Sequence, residues 1–221
     1  AYHVNNQFNL AIESYQRSLN FASPDEFDLE IVRSDIDACQ LAKKQFDDPV
    51  YFSPTNLGGT INSRSEDINP VISGDGRVLA FTRRLPFYSG VFISVKNENG
   101  IWSAPMNLTA EFGLDGDSYT TGISYFGDEI FVYRSDNFDG NIYSSKRINN
   151  KWSTLEKLNN NINTKYWESH ASPSPDGQYL YFTSNREGGY GGLDIYKSQR
   201  SSNGEWGVPV NLGPVINSPE N

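Results

Sequence analysis

Cysteine, histidine and methionine are almost missing from this chain: one Cys, two His and one Met in 221 residues. The lone Cys39 excludes an intrachain disulfide, and on a helical stretch it reads as packing. His3 and His170 leave a Ser-His-Asp triad little to draw on. Basic residues are also short, 18 Lys and Arg against 27 Asp and Glu, for a net charge of −9. No basic run supplies the cationic footprint that phosphate backbones require, so no nucleic-acid partner is expected. No apolar stretch approaches the roughly 18 residues of a membrane span, and the first residues lack the basic start and apolar centre of a signal peptide. No transmembrane span is expected. Glycine is absent from residues 1 to 48, although the chain holds 19.

What is present divides along that glycine boundary. In residues 1 to 48, Phe8, Ala11, Ile12, Tyr15 and Leu19 recur at three and four residues and share one helical face. This helix should end near Phe21. Ser23-Pro24-Asp25-Glu26 then carries a helix-start signal, with Ser as N-cap and Pro at the first helical position. Leu29, Val32, Ile36 and Cys39 form the second stripe, and Asp47-Asp48-Pro49 stops it.

From Tyr51 onward the chain repeats itself. Trp102-Ser-Ala-Pro-Met-Asn-Leu108, Trp152-Ser-Thr-Leu-Glu-Lys-Leu158 and Trp206-Gly-Val-Pro-Val-Asn-Leu212 stand 50 and then 54 residues apart. Each follows a turn (Asp75-Gly76, Gly127-Asp128, Asp176-Gly177) and two β-branched or aromatic runs, such as Val78 to Thr82 and Val91 to Ser94. Short runs bounded by Gly, Asn, Asp and Ser read as strands joined by tight turns. Four such strands repeated at this period predict the blades of a β-propeller. The expected fold is mainly β with an α-helical N-terminus. Residues 1–48 form helices, and 50–221 form three four-stranded blades at about 50–109, 110–163 and 164–217, the Trp strand closing each. Ser218 to Asn221 reads as the start of a fourth.

The third copy, with Ser174-Pro-Asp-Gly177, Leu180-Tyr-Phe182, Ser184-Asn-Arg186-Glu-Gly-Gly189-Tyr-Gly-Gly192, Asp194-Ile-Tyr196 and Asn211-Leu-Gly213, resembles the TolB-like (WD40-like) propeller repeat. Tyr2, Ala11, Tyr15, Ser18 and Leu19 resemble a tetratricopeptide repeat. Together with Asn56-Leu-Gly58, Ile61-Asn-Ser63 and Phe81-Thr-Arg-Arg84, the layout is similar to the PorE-like, OmpA-family cell-envelope proteins of Bacteroidetes-type bacteria. The second copy departs from the pattern, with Phe126 at the turn Asp position and Lys157 at the Asn. The resemblance implies a periplasmic scaffold associated with the outer membrane, usually a lipoprotein. Such a protein links a type IX secretion or gliding complex to the cell wall, reaching peptidoglycan through a domain not present in this sequence.

Candidate chemistry reduces mostly to turns. Ser174 beside Asp176 recurs once per copy because each copy must reverse. Ser124 in Gly122-Ile-Ser-Tyr-Phe-Gly127 is one residue too far from its second Gly for a nucleophile elbow. Gly188 to Gly192 precedes a strand, so it is not a phosphate loop. Asp115, Asp117, Asp136 and Asp139 lack full calcium-loop spacing, with Phe126 where a loop from Asp115 would place Glu. No cofactor and no metal are expected. Arg84, Arg134 and Arg186 follow the second strand of successive copies. In one reading each pins its own loop; in the other they join Phe87, Tyr88, Phe138, Tyr166, Trp167 and Tyr190 on a single protein-binding loop face. The expected function is non-enzymatic binding of other envelope proteins. The alternative is the propeller of a larger hydrolase, either a peptidase gating domain or a glycosidase.

Overall fold

The computed structural model describes residues 2–21, 23, 28–113, 116–136 and 139–219. The chain divides into two compact units, residues 1–56 and 57–221.

The first unit is a helical hairpin of α1 (Phe8–Phe21) and α2 (Leu29–Asp47). Phe8 and Ala11 of α1 and Ile36 and Cys39 of α2 are its buried positions. The Phe8 ring meets Phe46 edge-on at 5.8 Å, and Lys43 Nζ donates to Asn9 Oδ1 at 2.9 Å, so the start of α1 lies by the end of α2. Burial, and then the Asp35 carboxylate, pushes the Cys39 thiol pKa up, which suits packing. Among the described residues α2 begins at Leu29. Asp28 is its N-cap, its carboxylate accepting the Glu30 N–H at 2.9 Å. Pro24 to Glu26 lie outside the described residues.

The second unit is all strand and turn. Its first sheet holds β1 (Asp67–Ile72), β2 (Val78–Arg84), β3 (Ser89–Val95) and β4 (Met106–Asn107) in that order. The second is β5 (Tyr119–Ile123), β6 (Glu129–Asp136), β7 (Asp139–Ile148) and β8 (Lys151–Trp152), with β9 (Glu156–Lys157) also on β7. The third is β10 (Glu168–Pro173), β11 (Tyr179–Ser184), β12 (Asp194–Gln199) and β13 (Val210–Asn211). All pairs are antiparallel. Innermost strands of successive sheets touch, β1 on β5 and β5 on β10, while among the described residues no outermost strand meets the next outermost one. The sheets therefore fan from a shared inner edge, as blades of a partial β-propeller. The approach is close: a Cβ on Gly122 of β5 would lie 2.3 Å from the Ala171 carbonyl of β10.

Sandwiching explains the continuous apolar runs, since a middle strand buries both faces. Val78, Ala80, Val91 and Ile93 meet Phe112, Ile130, Val132 and Trp152 between the first two sheets. Phe131, Ile142 and Ile162 meet Leu180, Phe182, Tyr196 and Trp206 between the second and third. The turn serines pivot the reversals as the sequence suggested. Ser73, Ser124 and Ser174 Oγ accept the Val78, Glu129 and Tyr179 N–H at 2.9, 3.0 and 2.9 Å. Their hydroxyls donate to Asp75, Asp128 and Asp176. In the second copy the carboxylate thus comes from Asp128, after the glycine, and replaces the turn Asp missing at Phe126.

Two details of the expected blade are corrected. The Trp residues do not open a continuous fourth strand: Trp102 and Trp206 make single bridges to Lys96 and Arg200, ahead of the two-residue β4 and β13. Serine hydroxyls replace ladder bonds at the break, Ser94 and Ser198 donating to the Ser103 and Gly207 carbonyls at 2.7 and 2.6 Å. The middle blade has five strands because β7 runs on to Ile148 and pairs with Trp152 as well as with β9.

Candidate functional site

Each inner strand is broken by an irregularity in register: between Ile68 and Val71, Thr120 and Gly122, and Ser169 and Ser172. Two of these breaks hold non-glycine residues in the left-handed region, Asn69 at φ 50° and His170 at φ 51°. Bulges re-aim side chains, and strained backbone persists where surroundings over-determine it. Here Asn69, Thr121 and His170 are brought to one cavity of about 230 Å³ at the inner edge of all three blades.

The rest of that cavity is aromatic and hydroxylic. Tyr119, Tyr133 and Trp167 form one wall, and Thr120 and Ser169 add hydroxyls. Tyr133 lies 6.0 Å from Tyr119 and 5.6 Å from Trp167, ring centre to ring centre. Gly140 permits this, since a Cβ there would sit 2.9 Å from both the Trp167 and Tyr133 rings. Trp167 keeps 39% of its surface exposed. The Thr121 Oγ1 atom is buried and without a hydrogen-bond partner.

Ser169 Oγ and His170 Nδ1 are 2.7 Å apart, a distance that invites comparison with a nucleophile and its base. Ser169 is buried, however, and its hydroxyl is shared with Thr183 Oγ1 at 3.0 Å. The His170 nitrogen meets only hydroxyls, the second being Thr183 Oγ1 at 3.4 Å. Both side chains are thus tied to Thr183 on the neighbouring strand β11. Among the described residues no group of three or more His, Cys, Asp or Glu could hold a metal ion. No helix among them is long and apolar enough to cross a membrane.

The predicted loop residues separate into exposed and internal sets. Phe87, at the β2–β3 turn, is 97% exposed, and Tyr190, in the β11–β12 loop, is 49% exposed. With Trp167 they emerge at one end of the blades, because antiparallel connections alternate ends. Tyr88 is half-buried, its hydroxyl accepting from Asn107 Nδ2 at 3.0 Å. Tyr166 carries Lys165 Nζ over its ring at 5.0 Å, and the Glu187 carboxylate pushes its phenol pKa up. Asp194 accepts the Tyr190 N–H and anchors the glycine-rich loop. Phe138 and Asp115 lie outside the described residues. Asp117 accepts the Ser89 N–H at 2.6 Å.

The three arginines are not equivalent. Arg186 lies 5.1 and 5.0 Å over the Phe182 and Tyr196 rings, with Nη2 2.7 Å from the Ile162 carbonyl and 3.3 Å from fully buried Glu168. The residue doing this in the first blade is Arg83, not Arg84. Arg83 covers Phe81 and Phe92 at 5.2 and 4.8 Å, bonds the Ile61 carbonyl at 2.6 Å and pairs with Asp67 at 2.6 Å. Arg84 is exposed and pairs with Glu66 at 2.6 Å. Arg134 lies 5.8 Å over Tyr143. Arg83 and Arg186 are thus internal pins.

Asn69, Tyr119, Thr120, Thr121, Tyr133 and Ser169 were not among the residues predicted for a site. One signal was available: in the outer copies Asn69 and His170 each stand four residues before the turn serine.

These features define a mainly β protein, a partial propeller with a helical N-terminus. No protein-family profile matches the chain, and no curated protein matches its sequence. Solved structures do. TolB from Acinetobacter baumannii is similar at 18% identity and a TM-score of 0.48, over 66% of this chain and 33% of that one. The propeller domain of the Trilobed protease from Pyrococcus furiosus is similar at 11% identity and 0.45, over 68% and 43%. A chain of the nidogen/laminin complex is similar at 14% and 0.43, over 67% and 48%. The chain thus spans less than half of each, and none carries an activity across to it.

Proposed function

We propose that this chain is a non-enzymatic binding module of the bacterial cell envelope, holding a partner protein on the loop end of its propeller. The observation that carries this reading is that Phe87, Trp167 and Tyr190 are exposed aromatics on same-end connections of the first and third blades. Large rings held on a rigid scaffold contribute contact area at little entropic cost and are typical binding anchors. The residues nearest to a catalytic pair, Ser169 and His170, are tied to Thr183 and, among the described residues, have no carboxylate as a hydrogen-bond partner.

The resemblance to PorE-like proteins supports a periplasmic location associated with the outer membrane, with a secretion or gliding complex as partner. Peptidoglycan would be reached through a domain outside this sequence, and the helical hairpin would be part of a tetratricopeptide array. A photo-crosslinking residue placed at Phe87 or at Tyr190 should capture the same envelope protein, while one at Asn99, in the opposite-end β3–β4 connection, should not. Equal capture from Asn99, or none from either loop, would overturn the reading.

A further inference from the structure

We infer that the cavity at the inner edge of the blades is a saccharide site, taking one neutral sugar ring against Trp167. This goes beyond the protein-binding reading and does not depend on it. The first argument is charge. No carboxylate, ammonium or guanidinium lines the cavity, although the chain carries 27 acidic and 18 basic residues. Apart from the His170 imidazole, nothing there offers a charged ligand a counter-charge.

The second argument is hydrogen-bonding character. The inner strands deliver the Asn69 amide, which both donates and accepts, and the His170 imidazole, whose Nε2 is left over once Nδ1 meets Ser169 Oγ. Sugar hydroxyls have the same double character. A purely apolar occupant would instead leave these groups unpaired. The third argument is shape. Trp167 is backed by Gly140 and Tyr133, which fixes its ring as a platform for the apolar face of a pyranose. The volume of about 230 Å³ is below the roughly 300–1,000 Å³ of larger ligand pockets, so it suits a single ring and not an extended peptide.

The test is calorimetric titration of the whole chain with oligosaccharides of N-acetylglucosamine, glucose and mannose, beside an aromatic-rich peptide as control. At least one sugar series should bind. Trp167→Ala should weaken it by about tenfold or more, and Asn69→Gly, which removes the amide at a φ that glycine adopts freely, by about three- to tenfold. Both variants should keep the wild-type circular dichroism and melting cooperativity; if Trp167→Ala does not, Asn69→Gly decides. Phe87→Ala should leave sugar binding unchanged while removing the protein crosslink, so the two readings can fail separately. Absence of binding by all three series, sugar binding indifferent to both substitutions, or peptide binding that depends on Asn69 would overturn the inference.

Discussion

Between the first and second blades the seam is filled by hydrocarbon. Val78, at the start of β2, presses on Gly127, where a Cβ would lie 2.4 Å from Val78 Cγ2, and the Tyr125 ring lies on Gly74. The polar links across this seam are uncharged at the inner edge, where the Thr82 and Thr120 hydroxyls meet at 2.8 Å and Thr82 Oγ1 accepts the Thr120 N–H at 2.9 Å. Between the second and third blades the same places hold charge. Glu129, at the start of β6, is gripped by Arg200 Nη2 at 2.8 and 2.9 Å, and Arg186 with Glu168 closes the other end of the seam. Cavities of about 380 and 340 Å³ flank the Glu129 pair. A repeated blade needs only a neighbour complementary to itself, so each seam can be solved by its own chemistry.

The sharpest way to break the polar seam is at Glu168. Its carboxylate is fully buried and accepts from Thr164 N and Oγ1, Ser184 Oγ and Arg186. Removing one member of a buried pair strands the other, so Glu168→Ala should cost about 3–5 kcal/mol in urea unfolding. Ser118, just before β5 and six residues before its turn serine as Glu168 is before Ser174, lacks a cation partner of this kind, and Ser118→Ala should cost far less.

The apolar seam breaks by overfilling. Gly127 sits at φ 70° and directly on Val78, so Gly127→Ala meets both a steric and a conformational objection. A loss of about 1–3 kcal/mol is expected, and pairing it with Val78→Ala should recover part of the steric share. Glu129 sharpens the contrast further. Glu129→Ala should destabilise by about 1–3 kcal/mol by leaving Arg200 unpaired. The double change of Glu129 and Arg200 to Met should come within about 1 kcal/mol of wild type if the seam can be closed by hydrocarbon as its neighbour is.

These seams explain what could be read from residues alone. The three blades were legible because Trp spacing, turn glycines and continuous apolar runs are local and repeat. The exposed loop aromatics were legible as loop residues. The inner cavity was not: Thr121 sits in Tyr119-Thr-Thr-Gly-Ile123, which reads as ordinary strand, and nothing local announces the register break. Arg84 and Arg83 are adjacent cations, and strand alternation alone decides which one turns inward onto Phe81.

The smallest expected effect lies at the turns, which the two seams share. The Ser174 hydroxyl, and then the Gln178 N–H, hold the Asp176 carboxyl below its ordinary pKa, and Ser73 with Arg77 N–H does the same for Asp75. A carboxyl depressed in the folded state stabilises above its unfolded pKa, and that contribution disappears as pH falls through the folded value. Both turns therefore contribute fully at neutral pH and progressively nothing in acid. Asp176→Asn should lower the melting temperature slightly at pH 7 and leave it close to wild type at pH 2–3, when the native carboxyl is protonated as well. A difference that stays constant across that range would mean the turn depends on the shape of the side chain and not on its charge.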